Sequence, residues 1–359
     1  MKILFTVKAL DGITGGAERV LCDVASGLAA RGHDVAVLSF DASGAKPYYP
    51  LSPSVRFIPL GIGKAAKRAT AAETVRRMAA LRKAVRAEKP DAVAAFMHSM
   101  FIPAAFALAG TGVPVIGSEH IVPEHYKDRP LEFALLFLSS FFLKKMTVLS
   151  PRIAESYPWP VRRKMVPVAN PVRLPDSPSN LAATTILTVG RLEAQKDQAT
   201  LVRAFALLAK DYPDWRVRIM GDGALREELQ TLIGSCGLSG RVALGGTRPD
   251  IGEEYREASI FALPSRYESF GLATAEAMGY GLPVAGFADC PGTNELIADG
   301  RTGLLASGGD RVAAFAGCLR RLMDDPSERA QFGAAARRSM EAYRPETIVA
   351  RWEELLKSV

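Results

Sequence analysis

Two glutamates, Glu268 and Glu276, stand eight positions apart in the stretch SRYESFGLATAE, with Ser269, Phe270, Gly271 and Leu272 between them. The stretch follows an apolar segment, SIFALP, and opens a run of helix-forming residues. A carboxylate one turn inside such a helix can accept two hydrogen bonds from a vicinal diol such as ribose, as in dinucleotide folds. The amides ahead of it have no intrahelical partner, and Gly271 lets a phosphate oxygen approach them closely. Upstream, TVGRLEAQKD ends a strand and opens a helix, with Arg191 on the turn, Lys196 five residues on and Asp197 as the expected cap. A helix amino end beside an arginine and a lysine is a diphosphate site on physical grounds, because oriented amides, a positive dipole end and two cations converge. Each feature also has an ordinary reading: surface cations at Arg191 and Lys196, a first-turn acid at Glu276 answering the helix dipole, and a solvated loop acid at Glu268.

These side chains need a scaffold, and the periodicity supplies one. From Lys2 the pattern runs strand (ILFTV), glycine-rich turn (DGITGG), helix (AERVLCDVASGLAARG) and strand (DVAVLSF), a β-α-β unit. Further apolar strands follow at VRFIPL, DAVAAF, VPVIGSE and KMTVLS. Residues 166–184 carry four prolines and break the alternation, which reads as an interdomain linker. The alternation then restarts with TILTVG, WRVRIMG, RVALGG, SIFALP, LPVAGF and GLLA, and closes with three helices near 310–324, 327–341 and 346–357. Two doubly wound α/β domains are therefore expected. In such folds ligands bind at the carboxyl ends of the strands, so a cleft between facing domains is the expected active site.

Composition agrees with a folded two-domain chain: 359 residues, 48% hydrophobic and 23% charged. Four cysteines lie far apart with no paired spacing, which argues against a zinc site or a disulfide framework and fits a reducing cytosol. The amino terminus reads as a first strand rather than a signal peptide. The longest apolar run, LEFALLFLSSFFL at 131–143, contains Glu132 and falls short of the roughly 18 residues that span a bilayer. The net charge of +7 is uneven, since residues 1–170 hold 23 Lys and Arg against 13 Asp and Glu. Within that half, residues 64–89 form a basic amphipathic pattern with Val75, Met78, Leu81 and Val85 at helical spacing. It reads either as a solvated face over a sheet or as a surface that adsorbs to anionic lipid. Nucleic acid is not expected, because no interleaved aromatics or binding motif accompany the charge.

The segments GRLEAQKD, IMGDGALREEL, ESFGLATAEAM, GLPVAGFADCPGTNELI and DGRTGLL together resemble the retaining family-4 glycosyltransferases of the GT-B fold, and the likeness covers nearly the whole chain. The resemblance implies two Rossmann-like, doubly wound parallel-sheet domains facing a central cleft. It implies an acceptor-binding domain at 1–170, a nucleotide-sugar donor domain at 171–342, and a last helix at 343–359 that packs back on the first. It implies that Arg191 and Lys196 bind the donor diphosphate, that Glu276 binds the ribose, and that Glu268 with the amides of Ser269, Phe270, Gly271 and Leu272 contacts the donor sugar. In GITGGAERV, Gly15 and Gly16 would let backbone approach the phosphates while Glu18 caps or orients the helix. SEHIVPEHY resembles the strand end carrying the family's active-site histidine, here His120. Arg248 is a candidate contact for the base.

His120 and His125 are five apart, share no helix face and have no further ligand cluster in sequence, and the chain contains no Asp-x-Asp, so neither metal nor other cofactor is expected. The expected partners are a nucleotide-diphosphate sugar, with UDP-sugar favoured by family frequency, a lipid-linked saccharide acceptor, and an anionic membrane surface met by the basic first half. The expected location is the cytoplasm, peripherally on the inner face of the membrane. A nucleotide-sugar epimerase, a disaccharide synthase with a soluble acceptor, and a non-catalytic nucleotide-sugar binding protein share the same phosphate chemistry.

Overall fold

A computed structural model describes residues 1–62, 69–248 and 250–359. The first five residues of the predicted basic helix, 64–68, lie outside the described residues. The chain divides into two compact units, Met1–Pro171 with Pro345–Val359, and Val172–Arg344.

The first unit contains β1 (Lys2–Thr6), α1 (Gly16–Ala30), β2 (Asp34–Ser39), β3 (Arg56–Pro59), α2 (Ala71–Glu88), β4 (Ala92–Phe96), α3 (His98–Leu108), β5 (Val115–Ser118), α4 (Pro130–Ser140), β6 (Lys145–Val148), α5 (Pro151–Glu155), α6 (Trp159–Arg162) and β7 (Met165–Pro167). Its strands form one sheet in the order β3-β2-β1-β4-β5-β6-β7, every neighbouring pair parallel. Central strands such as β4 (AVAAF) are buried along their whole length, because helices cover both faces of a parallel sheet. The edge strand β7 overlaps the start of the predicted linker. Pro167 ends it at the sheet edge, where its missing donor breaks no ladder.

The second unit contains β8 (Thr185–Val189), α7 (Gln198–Leu208), β9 (Arg216–Met220), α8 (Arg226–Ser235), β10 (Val242–Gly246), α9 (Gly252–Arg256), β11 (Ile260–Ala262), α10 (Leu272–Gly279), β12 (Val284–Phe287), α11 (Thr293–Leu296), β13 (Gly303–Ala306), α12 (Arg311–Asp324) and α13 (Pro326–Ser339). Its parallel sheet runs β10-β9-β8-β11-β12-β13. Its core is apolar side chains from α7, β9, α12 and their neighbours, including Phe205, Ile219, Phe287 and Phe315. The last helix, α14 (Pro345–Lys357), belongs to the first unit, where it packs on α1 and buries Trp352 and Leu355. Gly27 of α1 admits Val349 so closely that a Cβ there would collide with it.

Both sheets are doubly wound and each has a point where the chain order reverses, between β1 and β4 in one and between β8 and β11 in the other. Loops leaving neighbouring strands at such a switch point diverge to opposite sides and leave a crevice at the carboxyl ends. Among the described residues no helix is long and apolar enough to cross a membrane.

Candidate active site

In the second unit the loop after β8 and the loop after β11 stand side by side, because these two strands pair directly. Lys196 ends the first loop and Glu268 lies on the second. The Lys196 Nζ sits 2.7 Å from Glu268 Oε1, a pair joining residues 72 positions apart. The stem of Lys196 runs against the backbone of Gly190, where an added Cβ would touch Cδ and Cε at 3.3 Å. Glu268 is 6% exposed and is held three ways: Ser265 Oγ donates to Oε1 at 2.6 Å, Lys196 takes the same oxygen, and the Glu268 amide donates to Pro291 O at 3.0 Å. The loops are also laced by Gln195, whose side-chain amide donates to Tyr267 O at 2.7 Å and whose carbonyl accepts from the Arg266 amide at 2.8 Å.

Arg191 is exposed and pairs with Glu193 at 2.7 Å. An ion pair this open to solvent contributes at most about 1 kcal/mol, so the guanidinium can exchange Glu193 for a diphosphate at little cost. Asp197, the expected cap, does not cap. It sits at the amino end of α7 in the left-handed region (φ 49°) and pairs instead with Arg266 at 2.7 Å. That pair adds a further tie between the Lys196 loop and the Glu268 loop.

Helix α10 begins at Leu272, and Gly271 is its N-cap with φ 83°, a conformation that costs a side-chain-bearing residue dearly. Among the described residues no side chain caps this end, so the first-turn amides and the positive end of the helix dipole stay available next to Glu268, which precedes them in the chain. Phe270 is buried and tilts against Tyr343 (5.6 Å between centroids), which anchors the turn. Gly292 presses against the carbonyl of Glu268 from the other side, at φ 77° and with no room for a Cβ. The hydroxyl of Thr274, on the first turn, is buried without a hydrogen-bond partner among the described residues.

Glu276 lies on the second turn of α10, not its first, so dipole compensation does not account for it. Tyr255 Oη, buried on α9 and stacked on Tyr280 (5.1 Å), donates to Glu276 Oε2 at 3.0 Å. Arg248 binds the buried Glu254 at 2.9 Å, and Arg218 takes the other oxygen of that carboxylate at 3.0 Å. The structure gives Arg248 an ion-pair partner on α9, the helix whose Tyr255 meets Glu276. Ser265, Tyr255 and Gln195 were not singled out from the sequence. Of the three only Ser265 carried a signal, the Ser-x-x-Glu spacing of a local turn.

In the first unit, Gly15 is the N-cap of α1, and Gly16 its first residue. The Glu18 carboxylate folds back against Gly15, where a Cβ would clash with its Oε2. His120 follows β5 and is 8% exposed. Its Nε2 is 3.0 Å from Ser118 Oγ, which in turn contacts Thr147 Oγ1 at 2.7 Å, and its ring stacks on Phe96. Burial pushes the imidazole pKa down to about 4. Burial pushes the adjacent Glu119 up to about 7, against the hydrogen bonds from Tyr126 Oη and the Ile121 amide that favour its anion. His125 does not join His120. It lies beside His98, at 5.5 Å between ring centroids, and the ligating atoms of His98, His125 and Glu132 fall within 4.8 Å of one another. Sequence spacing hid this grouping because α3, a short 3-10 helix at Pro123–Tyr126 and α4 each contribute one residue.

The His120 environment has a pH signature. An unfolded imidazole titrates near 6.5, so as pH falls the unfolded state takes up the proton first and stability present above 6.5 is lost between 6.5 and 4. The stability difference between the wild type and His120→Gln should narrow by about 2 kcal/mol between pH 7.5 and pH 5 in urea titrations. A difference independent of pH would mean that the ring titrates normally.

The second-unit cradle brings a cation, a carboxylate and helix-start amides together, and comparison with known families places the chain. Residues 174–339 match the family model "Glycosyl transferases group 1" and residues 14–174 match "Glycosyltransferase Family 4". The chain is a family-4 glycosyltransferase of the GT-B fold. An "Uncharacterized glycosyltransferase" of Haemophilus influenzae is 28% identical, covering 96% of this chain and 97% of its own length. A Campylobacter jejuni protein named as a GalNAc-alpha-(1->4)-GalNAc-alpha-(1->3)-diNAcBac-PP-undecaprenol alpha-1,4-N-acetyl-D-galactosaminyltransferase is 27% identical, covering 100% of this glycosyltransferase and 99% of its own chain. Among solved structures, the sucrose-phosphate synthase of Thermosynechococcus elongatus superposes with a TM-score of 0.87 at 20% identity, covering 99% and 98% of the two chains. The Anabaena protein HepE in complex with UDP-glucose superposes at 0.80 and 21%, covering both chains completely. At these identities the structural likeness establishes the fold.

Proposed function

We propose that this glycosyltransferase moves a hexose or N-acetylhexosamine from a nucleotide-diphosphate sugar, UDP-sugar in preference, to a lipid-linked saccharide, with retention at the anomeric carbon and without a metal ion. The observation that carries the donor reading is the Lys196–Glu268 pair beside the uncapped amino end of α10. It supplies a cation, a sugar-facing carboxylate and free amide donors at the switch point of one sheet. Support for UDP comes from HepE, solved with UDP and with UDP-glucose. Support for a lipid-linked acceptor comes from the name of the Campylobacter relative.

In this reading the bond between the anomeric carbon and the diphosphate oxygen breaks with its electrons going to the diphosphate. The acceptor hydroxyl attacks on the same face, and its proton passes to the departing phosphate oxygen. Arg191, Lys196 and the amides of Ser269–Leu272 meet the developing charge, which is where fixed donors contribute most. An ammonium carries three donors, so Lys196 can keep Glu268 while taking a phosphate oxygen. Glu268 orients sugar hydroxyls, and Glu276, fixed by Tyr255, receives the ribose diol. Gly15 and Gly16 offer backbone to the phosphates. Glu18, lying on Gly15, orients the start of α1. His120, neutral through the physiological range, serves as a hydrogen-bonding partner of the transferred sugar rather than as a cation. Arg248 would reach the base only by leaving Glu254.

Thermal unfolding with millimolar UDP, GDP and ADP tests the donor half, because a ligand that binds only the folded protein raises its stability; at one hundred times Kd the gain is about 2.7 kcal/mol. UDP should raise Tm in the wild type and not in Glu276→Ala. No response to any of the three nucleotides would remove the donor assignment. Sugar epimerised without acceptor, or transferred equally well to a free soluble sugar, would instead establish the epimerase or the disaccharide synthase.

A further inference from the structure

Helix α4 is built inside out. Its inward side holds Leu136 with Ser139 and Ser140, whose hydroxyls donate to the carbonyls of Leu136 (2.8 Å) and Phe137 (2.6 Å) of the same helix. Its outward side exposes Leu131, Leu135 and Leu138, and Phe141 and Phe142 follow on the next turn, each between 38% and 71% exposed. Positions 131, 135, 138 and 142 are spaced as one helical stripe. An ordinary surface helix puts the apolar stripe toward the core and charge toward water, and a soluble chain rarely shows so large a contiguous apolar patch without a partner.

The surroundings identify that partner. The short helix α6 packs on α4 and carries Trp159, 61% exposed, with the Arg163 guanidinium 5.3 Å over its ring. Lys144, Arg162 and Arg163 stand exposed at the carboxyl end of the stripe, whereas at its amino end Lys127 and Arg129 are offset by exposed Asp128 and by Glu132, which pairs with Arg129 at 3.5 Å. Lys164 is withdrawn from this set: its Nζ binds the carbonyls of Ser140 (2.6 Å), Phe141 (3.2 Å) and Leu143 (2.7 Å) and fixes the end of α4 in place. An open apolar hollow of about 620 Å³, lined by Pro123, Tyr126, Pro130, Phe133, Phe137 and Leu138, borders the stripe. An apolar ridge with an aromatic residue at its edge and a cluster of cations at its carboxyl end matches the depth profile of a bilayer surface: acyl chains, interface, anionic headgroups. A second copy paired with its α4 parallel would bring two copies of the Lys144, Arg162 and Arg163 cluster together, which disfavours it, whereas anionic headgroups complement that cluster.

We infer that α4, with Phe141, Phe142 and Trp159, is the surface that inserts into the headgroup layer of an anionic membrane. This deepens the lipid-linked acceptor reading by assigning the docking to α4 rather than to α2. Helix α2 exposes a single large apolar residue, Val75, buries Leu81 and Val85 in the unit, and turns Arg77 inward to Glu73 and over Phe40.

The test is flotation of the full chain with vesicles of phosphatidylcholine and phosphatidylglycerol at 0.15 M salt. Wild type should float with anionic vesicles, and Leu135→Ser/Leu138→Ser/Phe142→Ser should partition at least tenfold less while Arg76→Gln/Lys83→Gln/Arg86→Gln changes by less than threefold. These positions are half-buried and Phe142 also meets the Phe106 ring at 5.5 Å, so circular dichroism is measured alongside, and Leu131→Ser/Leu138→Ser, which leaves that ring contact in place, should lose flotation in the same direction with wild-type circular dichroism. Trp215 and Trp352 are buried, which makes Trp159 the reporter whose emission shifts to the blue on docking. The inference is overturned if wild type stays in the lipid-free fraction, if the α4 variant floats like wild type, or if α4 instead proves to hold a wild-type dimer that the variant dissolves. UDP stabilisation of the variant is read separately: its absence in wild type would sink the donor assignment and leave the flotation result standing.

Discussion

Replacing Lys196 by alanine should lower turnover by 10²- to 10³-fold, about 3–4 kcal/mol of barrier, the usual effect of deleting one preorganised donor from a site where charge develops. The reason is local. Lys196 is the cation fixed beside the amino end of α10, held against Gly190 by its stem and to Glu268 by its ammonium. Arg191, on an exposed pair with Glu193, is too loosely placed to substitute for it. The variant leaves the buried Glu268 carboxylate with Ser265 as its remaining side-chain partner among the described residues, so some loss of stability accompanies the loss of rate. Lys196→Ala/Glu268→Gln separates the two effects: it should restore stability and leave turnover low. Initial rates of UDP release with and without acceptor decide the matter, and turnover within threefold of wild type in Lys196→Ala would remove the diphosphate cradle from this site.

Trp352→Ala should cost the first unit about 3–5 kcal/mol, the range for emptying a large aromatic site in a core. Trp352 is 2% exposed on α14 and stacks on Phe96 (5.5 Å, 19° between planes) and tilts against Phe5 (6.2 Å). Phe96 carries His120 on its other flank, at 5.1 Å. The aromatic series Trp352–Phe96–His120 therefore ties the last helix of the chain to the histidine at the end of β5. Equilibrium urea unfolding should register the loss, and Trp352→Phe, which keeps a ring against Phe96, should lose clearly less. A Trp352→Ala change under 1 kcal/mol would mean that α14 contributes little to this unit. The two predictions differ in kind: the first removes a charge from a reaction, the second removes packing beneath a residue that itself does no packing work for the donor.

The elements were legible because parallel strands buried on both faces read as short apolar runs, and helices between them read by their period. Both switch points follow from that alternation only after the strand order is known, since periodicity does not say on which side of β1 or β8 the next strand is laid. The short edge strand β7 was hidden inside a proline-rich segment, where Pro167 counted against a strand that tolerates it at its end. Asp197 illustrates the opposite failure, a residue of the right type at a helix start whose side chain went to Arg266 because the neighbouring loop offered a cation.

For the site, residue order along the chain carries the local chemistry: Arg191 and Lys196 on one turn, Glu268, Gly271 and Glu276 on another, each at a strand-to-helix junction where free amides are unavoidable. Tertiary structure alone decided which of them meet. Lys196 and Glu268, 72 residues apart, become partners because β8 and β11 are hydrogen-bonded neighbours. Tyr255 reaches Glu276, His125 joins His98 rather than His120, and α4 turns its leucines outward. Spacing along a chain fixes what lies within a turn or two of a helix, whereas contacts between elements depend on strand order and on which face each helix buries, and those are settled only when the whole core packs.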